Sequence, residues 1–322
     1  MRCCTIVSVL AATTAALMPP VSVSQEFPAK PVRIIIAYGA GSGLDALTRQ
    51  TAQDLSTLWK QPVIVENRPG ASGIIAGEAC KRSAPDGLTI CMMNRSFFLL
   101  PFLLPKVPVD PVRDFTPVTK LLDLTQVIVA HPSVGAGNMK ELLAVVRAKP
   151  GVFNYASLGT GSGISLLFEW MKKEYGLDIV HVPYKNPTDL VQSTVTGQTS
   201  VTMLGTLNFL GQIRSGKVRV LAVSDRMPQV PGVASLNEQG LPFDVSNWFG
   251  YFVPLGTSDT IVHRIRDDVA KLYAVPAFRE KFLLEQALLP VSSTPEEFAR
   301  SIPPDVAAGA AIIKATGAKL DQ

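Results

Sequence analysis

The chain contains few of the residues that build metal, redox and nucleic-acid sites. Its 322 residues include three histidines and four cysteines, and charged residues make up 17% of the sequence. The histidines are scattered at positions 131, 181 and 263, and neither they nor the cysteines have the spacing of a metal site. Acidic and basic residues are interspersed, without the basic stripe that nucleic-acid binding requires. We therefore expect no metal, no other cofactor and no nucleic-acid partner.

The N-terminal apolar run is too short to span a membrane. It extends from Ile6 to Met18, whereas a spanning helix needs roughly 18 residues. Arg2 precedes the run, and prolines and small residues ending at Ser24 follow it. This order is typical of a secretory signal peptide. We predict that residues 1–24 are removed before Gln25 and that the mature protein is soluble and exported.

Two cysteines, Cys80 and Cys91, lie beyond the predicted signal peptide. They flank the turn at Pro85-Asp86-Gly87, close enough for their Cα atoms to come within the roughly 7 Å limit of a disulfide. An oxidising compartment favours that bond, whereas two buried free cysteines are the alternative. The sequence leaves both alternatives open.

The rest of the chain alternates strand-like apolar segments with segments of helical periodicity. We predict strands at residues 32–38, 62–66, 88–93, 127–130, 179–182, 201–204, 218–223 and 247–253. We predict helices over residues 44–58, 77–81, 164–175 and 261–272 and near 304–316. This alternation indicates an α/β protein built from βαβ units.

Two Gly-rich turns carry the main functional signal. Residues 39–45 and 157–163 each follow a predicted strand and precede an amphipathic helix. Glycine lets the backbone approach a ligand closely, while the free N–H groups and the dipole of the helix attract an anion. One such turn alone is equally well an ordinary capped helix start. Two turns, with a third helix start at residues 68–73, predict a shared anion-binding cleft.

Two familiar enzyme sites do not fit these turns. In a dinucleotide-binding fingerprint the third glycine would fall at Leu44. A serine hydrolase needs Gly-x-Ser-x-Gly with a later histidine, and neither Ser42 nor Ser162 has that spacing. An exported α/β enzyme acting on a small anionic substrate remains the alternative function.

Several longer segments match a known receptor family. The most specific are Glu66-Asn67-Arg68-Pro69-Gly70-Ala71 and His181-Val182-Pro183-Tyr184-Lys185. The others are residues 27–33, 61–65, 72–73, 85–89, 114–118, 149–157, 221–223 and 248–250. In these segments the chain resembles the receptors of the tripartite tricarboxylate transporters, also called Bug receptors.

The resemblance implies a type II-like periplasmic binding protein of two lobes. Each lobe would be a mixed sheet flanked by helices, with two crossover strands as the hinge. We expect residues 25–126 and 247–322 to form lobe 1 and residues 127–246 to form lobe 2. The crossovers would lie near residues 124–130 and 243–253.

The resemblance also implies a periplasmic receptor that binds a mono-, di- or tricarboxylate between its lobes. The receptor would be a monomer and deliver the ligand to two membrane permease subunits. The carboxylate oxygens would be held by backbone amides, hydroxyl groups and ordered water. The expected ligand-binding residues are Tyr38, Gly41, Ser42, Gly43, Asp45, Asn94, Arg95, Ser157, Gly159, Thr160, Gly161, Ser162, Tyr184 and Gly205.

Some of these residues have a second interpretation. Arg95 would pair with a second ligand carboxylate or be a solvated surface arginine. Tyr38, Tyr184 and Trp248 would wall the site or pack in the core or at its rim. We expect Lys185 at the rim.

Several positions depart from the pattern of the resembled family. The first turn usually has two prolines and then Gly-Gly-x-Thr-Asp, whereas here it reads Gly39-Ala40-Gly41-Ser42-Gly43-Leu44-Asp45. Ser165 replaces a common histidine, Asn186 a glycine and Gly205 a frequent aspartate. These positions touch the expected cleft, so the changes affect the ligand rather than the fold. They allow a diverged receptor with an unusual solute.

Overall fold

A computed structural model describes residues 27–159 and 162–317. The strands are Val32–Ile36 (β1), Val63–Asn67 (β2), Thr89–Asn94 (β3), Phe115–Leu124 (β4), Gln126–Ala130 (β5), Asn154–Ser157 (β6), Val180–Pro183 (β7), Val201–Gly205 (β8), Arg219–Val223 (β9), Trp248–Pro254 (β10) and Leu288–Pro290 (β11). The helices are Gly43–Trp59 (α1), Ile74–Lys81 (α2), Arg95–Leu103 (α3), Met139–Ala148 (α4), Gly163–Tyr175 (α5), Pro187–Val195 (α6), Leu210–Arg214 (α7), Asp259–Ala274 (α8), Pro276–Phe278 (α9) and Pro295–Thr316 (α10). The predicted signal peptide, Thr160 and Gly161 lie outside the described residues.

The first sheet has six strands in the order β11-β4-β10-β3-β1-β2. Strand β1 pairs in parallel with β2 and β3, whereas β10 runs antiparallel to β3 and β4. Three consecutive residues of β1, Ile34, Ile35 and Ile36, are fully or almost fully buried. Helices cover both faces, which explains why this strand is a continuous apolar run.

The second sheet has five strands in the order β7-β6-β8-β5-β9. Strand β6 is parallel to β7 and β8, and β5 is antiparallel to β8 and β9. Both sheets are therefore mixed, and the expected α/β fold with two sheets flanked by helices is confirmed.

Each sheet lies between two layers of helices. Helices α1 and α8 cover one face of the first sheet, and α2 and α10 pack on its strands from the other face. In the second sheet, α4 and α5 cover one face and α6 covers the other. One buried apolar cluster extends from Ile35 in the first sheet to Met203 in the second. The lobes thus share part of their core.

The chain passes between the sheets at two adjacent places. It leaves the first sheet at Thr125, between β4 and β5, and returns through residues 224–247 to β10. Leu124 N–H donates to the carbonyl of Asn247 (2.8 Å), and the side-chain amide of Gln126 donates to Val245 O. We propose that these paired connections are the hinge and that the lobes divide there, as expected from the sequence.

Several elements differ from the sequence-based expectation. Strand β11 and helices α3, α4, α6, α7 and α9 were not predicted. Of strand β4 only the end near residue 124 was expected, as part of a crossover, because Pro117 and polar residues interrupt its apolar pattern. Helix α10 begins at Pro295 rather than near Pro304. A capping box between Thr294 and Glu297 fixes this start, and Pro303 and Pro304 lie inside the helix.

A disulfide joins Cys80 of α2 to Cys91 of β3, with their Cα atoms 6.2 Å apart. Both cysteines are buried. The bond ties the helix that begins after Gly73 to the central strand that ends at Asn94. Within the described residues, no helix is long and apolar enough to cross a membrane.

Candidate functional site

A cavity of about 370 Å³ lies between the two sheets. Its wall is formed by turns and helix starts of both lobes, together with residues of the crossovers. The lining residues are Ala37, Tyr38, Ser42, Gly43, Leu44, Gly70, Ser72, Gly73, Asn94, Ser96, Leu100, Leu103, Leu124, Gln126, Leu158, Ser162, Gly163, Ile164, Pro187, Met203, Leu204, Gly205, Leu207, Asn208, Asn247 and Phe249. The size and position are typical of a small-molecule site.

The first Gly-rich turn presents the start of helix α1 to this cavity. Ser42 is the N-cap, and its hydroxyl oxygen accepts from Asp45 N–H at 3.2 Å. The first intrahelical bond runs from Ala46 N–H to Ser42 O. The N–H groups of Gly43 and Leu44 precede that bond, and both residues line the cavity. The turn therefore offers backbone donors and a hydroxyl group to an anion.

Asp45 holds the first turn together and does not line the cavity. Its buried carboxylate accepts from Gly41 N–H (2.9 Å), Arg49 Nε (3.0 Å) and Asn67 Nδ2 (2.8 Å). Burial alone raises the pKa of Asp45, but these bonds outweigh it and keep the pKa below its ordinary value. Asp45 and Gly41, which we expected to contact the ligand, instead position the turn.

The second Gly-rich turn presents the start of helix α5. Ser162 is the N-cap, and the first intrahelical bond runs from Leu166 N–H to Ser162 O. Gly163 and Ile164 line the cavity ahead of that bond. The Ser162 hydroxyl donates to Gly159 O at 2.7 Å, so its hydrogen is used inside the turn. This second helix start faces the same cavity from the other lobe.

Ser157 does not line the cavity but stabilises the second Gly-rich turn through hydrogen bonds. It is fully buried, and its hydroxyl lies 2.6 Å from His181 Nε2. Gly159 N–H donates to the same hydroxyl oxygen at 3.0 Å. His181 stacks on Tyr155, and burial lowers the pKa of the histidine. Ser157 and Gly159 were expected to contact the ligand, but they are part of the support of the turn.

Several uncharged polar residues complete the wall. Asn94 caps helix α3 by accepting from Phe97 N–H at 3.2 Å, and both Asn94 and Ser96 line the cavity. Gly205, which was predicted, lies across the cleft. The residues that the sequence did not single out for the site are Ser72, Ser96, Gln126, Asn208 and Asn247. The turn at residues 68–73 was a signal for Ser72, but no sequence pattern indicated the others.

The side-chain oxygen of Asn247 is a buried hydrogen-bond acceptor. It has no hydrogen-bond partner among the described residues. Such an acceptor is ordinarily satisfied by a donor outside the protein, a ligand group or water. Asn247 also belongs to the second crossover, next to Trp248 of β10.

Tyr38 lines the cavity as a neutral aromatic side chain. Its ring packs edge-on against Phe249, with the ring centroids 5.6 Å apart. Burial raises the pKa of the Tyr38 hydroxyl well above its ordinary value, and the contact with Asn94 only partly opposes this rise. Tyr38 is thus available as an uncharged hydrogen-bond donor.

Arg95 does not point into the main cavity. Its side chain is 6% exposed and pairs with Asp244 (2.6 Å) and Asp305 (3.0 Å). Nη1 also donates to Ser246 O at 3.0 Å. This arrangement corrects both interpretations from the sequence, because Arg95 neither lies at the surface nor has a free guanidinium group for a ligand carboxylate.

The other expected aromatic and basic residues also lie off the cavity wall. Tyr184 packs against the apolar cluster on the face of the second sheet that α6 covers. Trp248 is 4% exposed, and its indole N–H donates to Asp305 at 2.9 Å. Lys185 is exposed. These residues are core or surface residues rather than lining residues of the site.

The described part of the wall contains no charged side chain. Its polar groups are backbone N–H groups at helix starts, serine hydroxyls, a tyrosine hydroxyl and side-chain amides. This set can hold an anion through directed hydrogen bonds without a cationic partner.

The molecule has two α/β lobes, and helix starts border the cleft between them. This arrangement is that of a solute-binding protein of the periplasmic type. The profile of the family described as tripartite tricarboxylate transporter family receptor matches residues 47–318. The chain belongs to this family.

Related proteins agree with that assignment over almost their whole length. Protein BugT of Bordetella pertussis is 32% identical over 312 residues, 95% of each chain. A solved structure described as a periplasmic transporter is 31% identical, with a TM-score of 0.82 over 92% of this chain and 100% of that one. MatC from Rhodopseudomonas palustris, solved with bound malate, is 25% identical. Its TM-score is 0.78, over 89% of this chain and 100% of that one. The protein is therefore a solute-binding receptor and not an enzyme, and the alternative enzymatic function is set aside.

Proposed function

We propose that this receptor captures a small organic carboxylate in the cavity between its lobes. It is exported by its signal peptide, acts as a monomer in the periplasm and delivers the ligand to the membrane subunits of a tripartite tricarboxylate-type transporter. The observation that carries the proposal is that helices α1 and α5, one from each lobe, begin at the same cavity. A carboxylate between them is held by both lobes at once.

The helix starts supply enough binding free energy for a receptor. Each hydrogen bond to a charged group contributes about 1.5–3 kcal/mol net. Four such bonds would offset the costs of closure and desolvation and leave roughly the 8 kcal/mol of micromolar binding. The malate bound to the related MatC supports a carboxylate as the class of ligand.

Removal of the Ser42 hydroxyl group tests the site. Ser42 Oγ accepts from Asp45 N–H, and its hydrogen has no acceptor within the described residues. It is therefore free to donate to a ligand carboxylate. We expect Ser42→Ala to weaken binding about tenfold or more, because a carboxylate oxygen loses a donor inside a closed cleft. Calorimetry of the mature protein with a panel of mono-, di- and tricarboxylates measures this.

Thr294→Ala is the matched control, because Thr294 also caps a helix through its hydroxyl group but lies outside the cavity. Both variants should lose about 1 kcal/mol of unfolding free energy through the lost cap. Only Ser42→Ala should lose affinity. Equal binding of every acid by Ser42→Ala and wild type would show that the first turn is only a helix cap.

A further inference from the structure

The cavity wall also restricts the body of the ligand. We propose that the ligand is a monocarboxylate whose remainder is uncharged and largely apolar, an aromatic or aliphatic acid rather than a di- or tricarboxylate. This inference rests on the proposed function, since it takes the helix starts of α1 and α5 as the carboxylate site.

The wall beyond the helix starts of α1 and α5 contains a group of apolar side chains from both lobes. Helix α3 contributes Leu100 and Leu103 from the first lobe, and Leu204 and Leu207 extend from the second. Leu207 reaches across the cleft, because a Cβ atom added to Gly43 would lie 2.7 Å from its Cδ1 atom. An apolar ligand body is stabilised against such a wall by its removal from water.

A second carboxylate would meet no cation in the described part of the wall, and the helix starts of α1 and α5 would already hold the first one. The guanidinium group of Arg95 belongs to a smaller cavity of about 60 Å³ that shares Ser96, Gln126, Gly163 and Asn247 with the main one. This group already pairs with Asp244 and Asp305.

Two carboxylates and one guanidinium carry a net negative charge. A second ligand carboxylate on this side of the cavity would be both desolvated and repelled. The buried side-chain oxygen of Asn247 on the same side is a further acceptor. This oxygen can accept a hydrogen bond from a hydroxyl or N–H group of an uncharged ligand body, and it would repel a carboxylate oxygen.

Shape-matched acids test the inference on the wild-type protein. The pairs are 4-methylbenzoate with terephthalate and hexanoate with adipate, each titrated calorimetrically into the mature protein, with malate and citrate as further acids. We expect the monoacid of at least one pair to bind tenfold or more tightly than its diacid, and more tightly than malate and citrate.

The possible outcomes separate this inference from the proposed function. Tighter binding of diacids, malate or citrate would overturn the inference and leave the proposed function intact. Binding of no carboxylate at all would overturn both. Equal binding of 4-methylbenzoate and its uncharged methyl ester would overturn the proposed carboxylate site, because the anion would then not be recognised.

A charge placed in the apolar wall gives a second test. Leu207→Lys supplies the missing cation and should reduce the preference for monoacids over diacids at least tenfold. Leu58→Lys is the matched control, because Leu58 lies on the outer face of α1 and is 44% exposed. Leu58→Lys should keep the wild-type preference for monoacids over diacids. If Leu207→Lys folds, as judged by its melting temperature, and keeps that preference, the inference is wrong.

Discussion

At the scale of single residues, Asp45 determines the conformation of the first Gly-rich turn. Its carboxylate joins Gly41 before the helix, Arg49 within the helix and Asn67 at the end of β2. Asn67 in turn donates to Tyr38 O at 2.9 Å. One buried anion thus connects the turn to two strands and fixes the start of helix α1, where Gly43 and Leu44 line the cavity.

We expect Asp45→Asn to lower the free energy of unfolding by about 1.5–3 kcal/mol. The neutral amide loses the charge-assisted bonds to Arg49 and Gly41, and each such bond contributes an amount of this order. Urea denaturation at neutral pH measures the difference. Asp225→Asn, at an exposed position, is the control and should change the stability by less than about 0.5 kcal/mol.

The contribution of Asp45 also depends on pH. In the folded protein the pKa of the Asp45 carboxyl group lies below its ordinary value of 3.8. The stabilisation is therefore complete above that pH and is lost as the pH falls through the lower pKa of the folded state. The difference between wild type and Asp45→Asn should shrink in that acidic range. A difference that stays constant down to acid unfolding would contradict this role of the carboxylate.

Ser42 and Ser162 show how far local sequence predicts such a site. Each is a serine between glycines at the start of a helix, and the sequence treats them alike. In the folded chain Ser42 retains its hydrogen for a ligand, whereas Ser162 donates to Gly159 O. The side-chain rotation that separates them depends on the path of each turn. It has no signal in the residue pattern.

At the scale of secondary-structure elements, Arg95 connects three parts of the fold. It begins helix α3, and its guanidinium group binds Asp305 of α10 and Asp244 of the second crossover. Burial alone raises the pKa of Asp244, but the charge of Arg95 outweighs this and keeps the pKa below its ordinary value. Arg95 thus holds the start of helix α3, which belongs to the wall of the cleft, against α10 and the second crossover.

We expect Arg95→Met to destabilise the protein by about 1.5–3 kcal/mol, because it removes charge-assisted bonds to Asp305 and to the more exposed Asp244. Thermal and urea denaturation measure the change. Arg226→Met removes an exposed ion pair with Glu238 and is the control, with an expected effect below about 1 kcal/mol.

The same variant distinguishes a structural from a ligand-binding role for Arg95. A structural role predicts lower stability with an unchanged ratio of affinities for monoacids and diacids. Unchanged stability together with a selective loss of diacid binding would restore the interpretation made from the sequence.

At the scale of the whole molecule, the two crossovers lie side by side and define an axis between the lobes. Thr125, at the first crossover, is fully buried, and its hydroxyl bonds to Ala287 O and to the hydroxyl of Thr206. Helix α10 packs on β4 and α3 of the first lobe and on α5 of the second. Rotation of the lobes about the crossovers would therefore move α5 relative to α10.

We expect ligand binding to bring the lobes closer together in solution. A carboxylate contacts both helix starts only when the cleft is closed, so it shifts the population towards the closed state. Small-angle X-ray scattering should show a smaller radius of gyration with the acid that binds most tightly. The uncharged methyl ester of that acid is the control and should leave the radius unchanged. An unchanged radius at saturation, verified by calorimetry, would show that the lobes do not move.

The sequence by itself determined the α/β class, most strands and the two helix starts that lie at the cavity. These features depend on local periodicity and on glycine and serine at strand ends, and neighbouring residues carry that information. The six strands of the first sheet, by contrast, come from distant parts of the chain, and β4, interrupted by Pro117, was not predicted at full length.

Only the tertiary structure decided which polar residues line the cavity and which pair with other groups of the protein. Arg95, Asp45 and Ser157 were plausible ligand contacts until their partners Asp244, Arg49 and His181 were known. Gln126, Asn208 and Asn247 line the cavity without any motif of their own. Their positions depend on the packing of the lobes and on the path of the crossovers. Those contacts join residues far apart in the chain, so no local pattern encodes them.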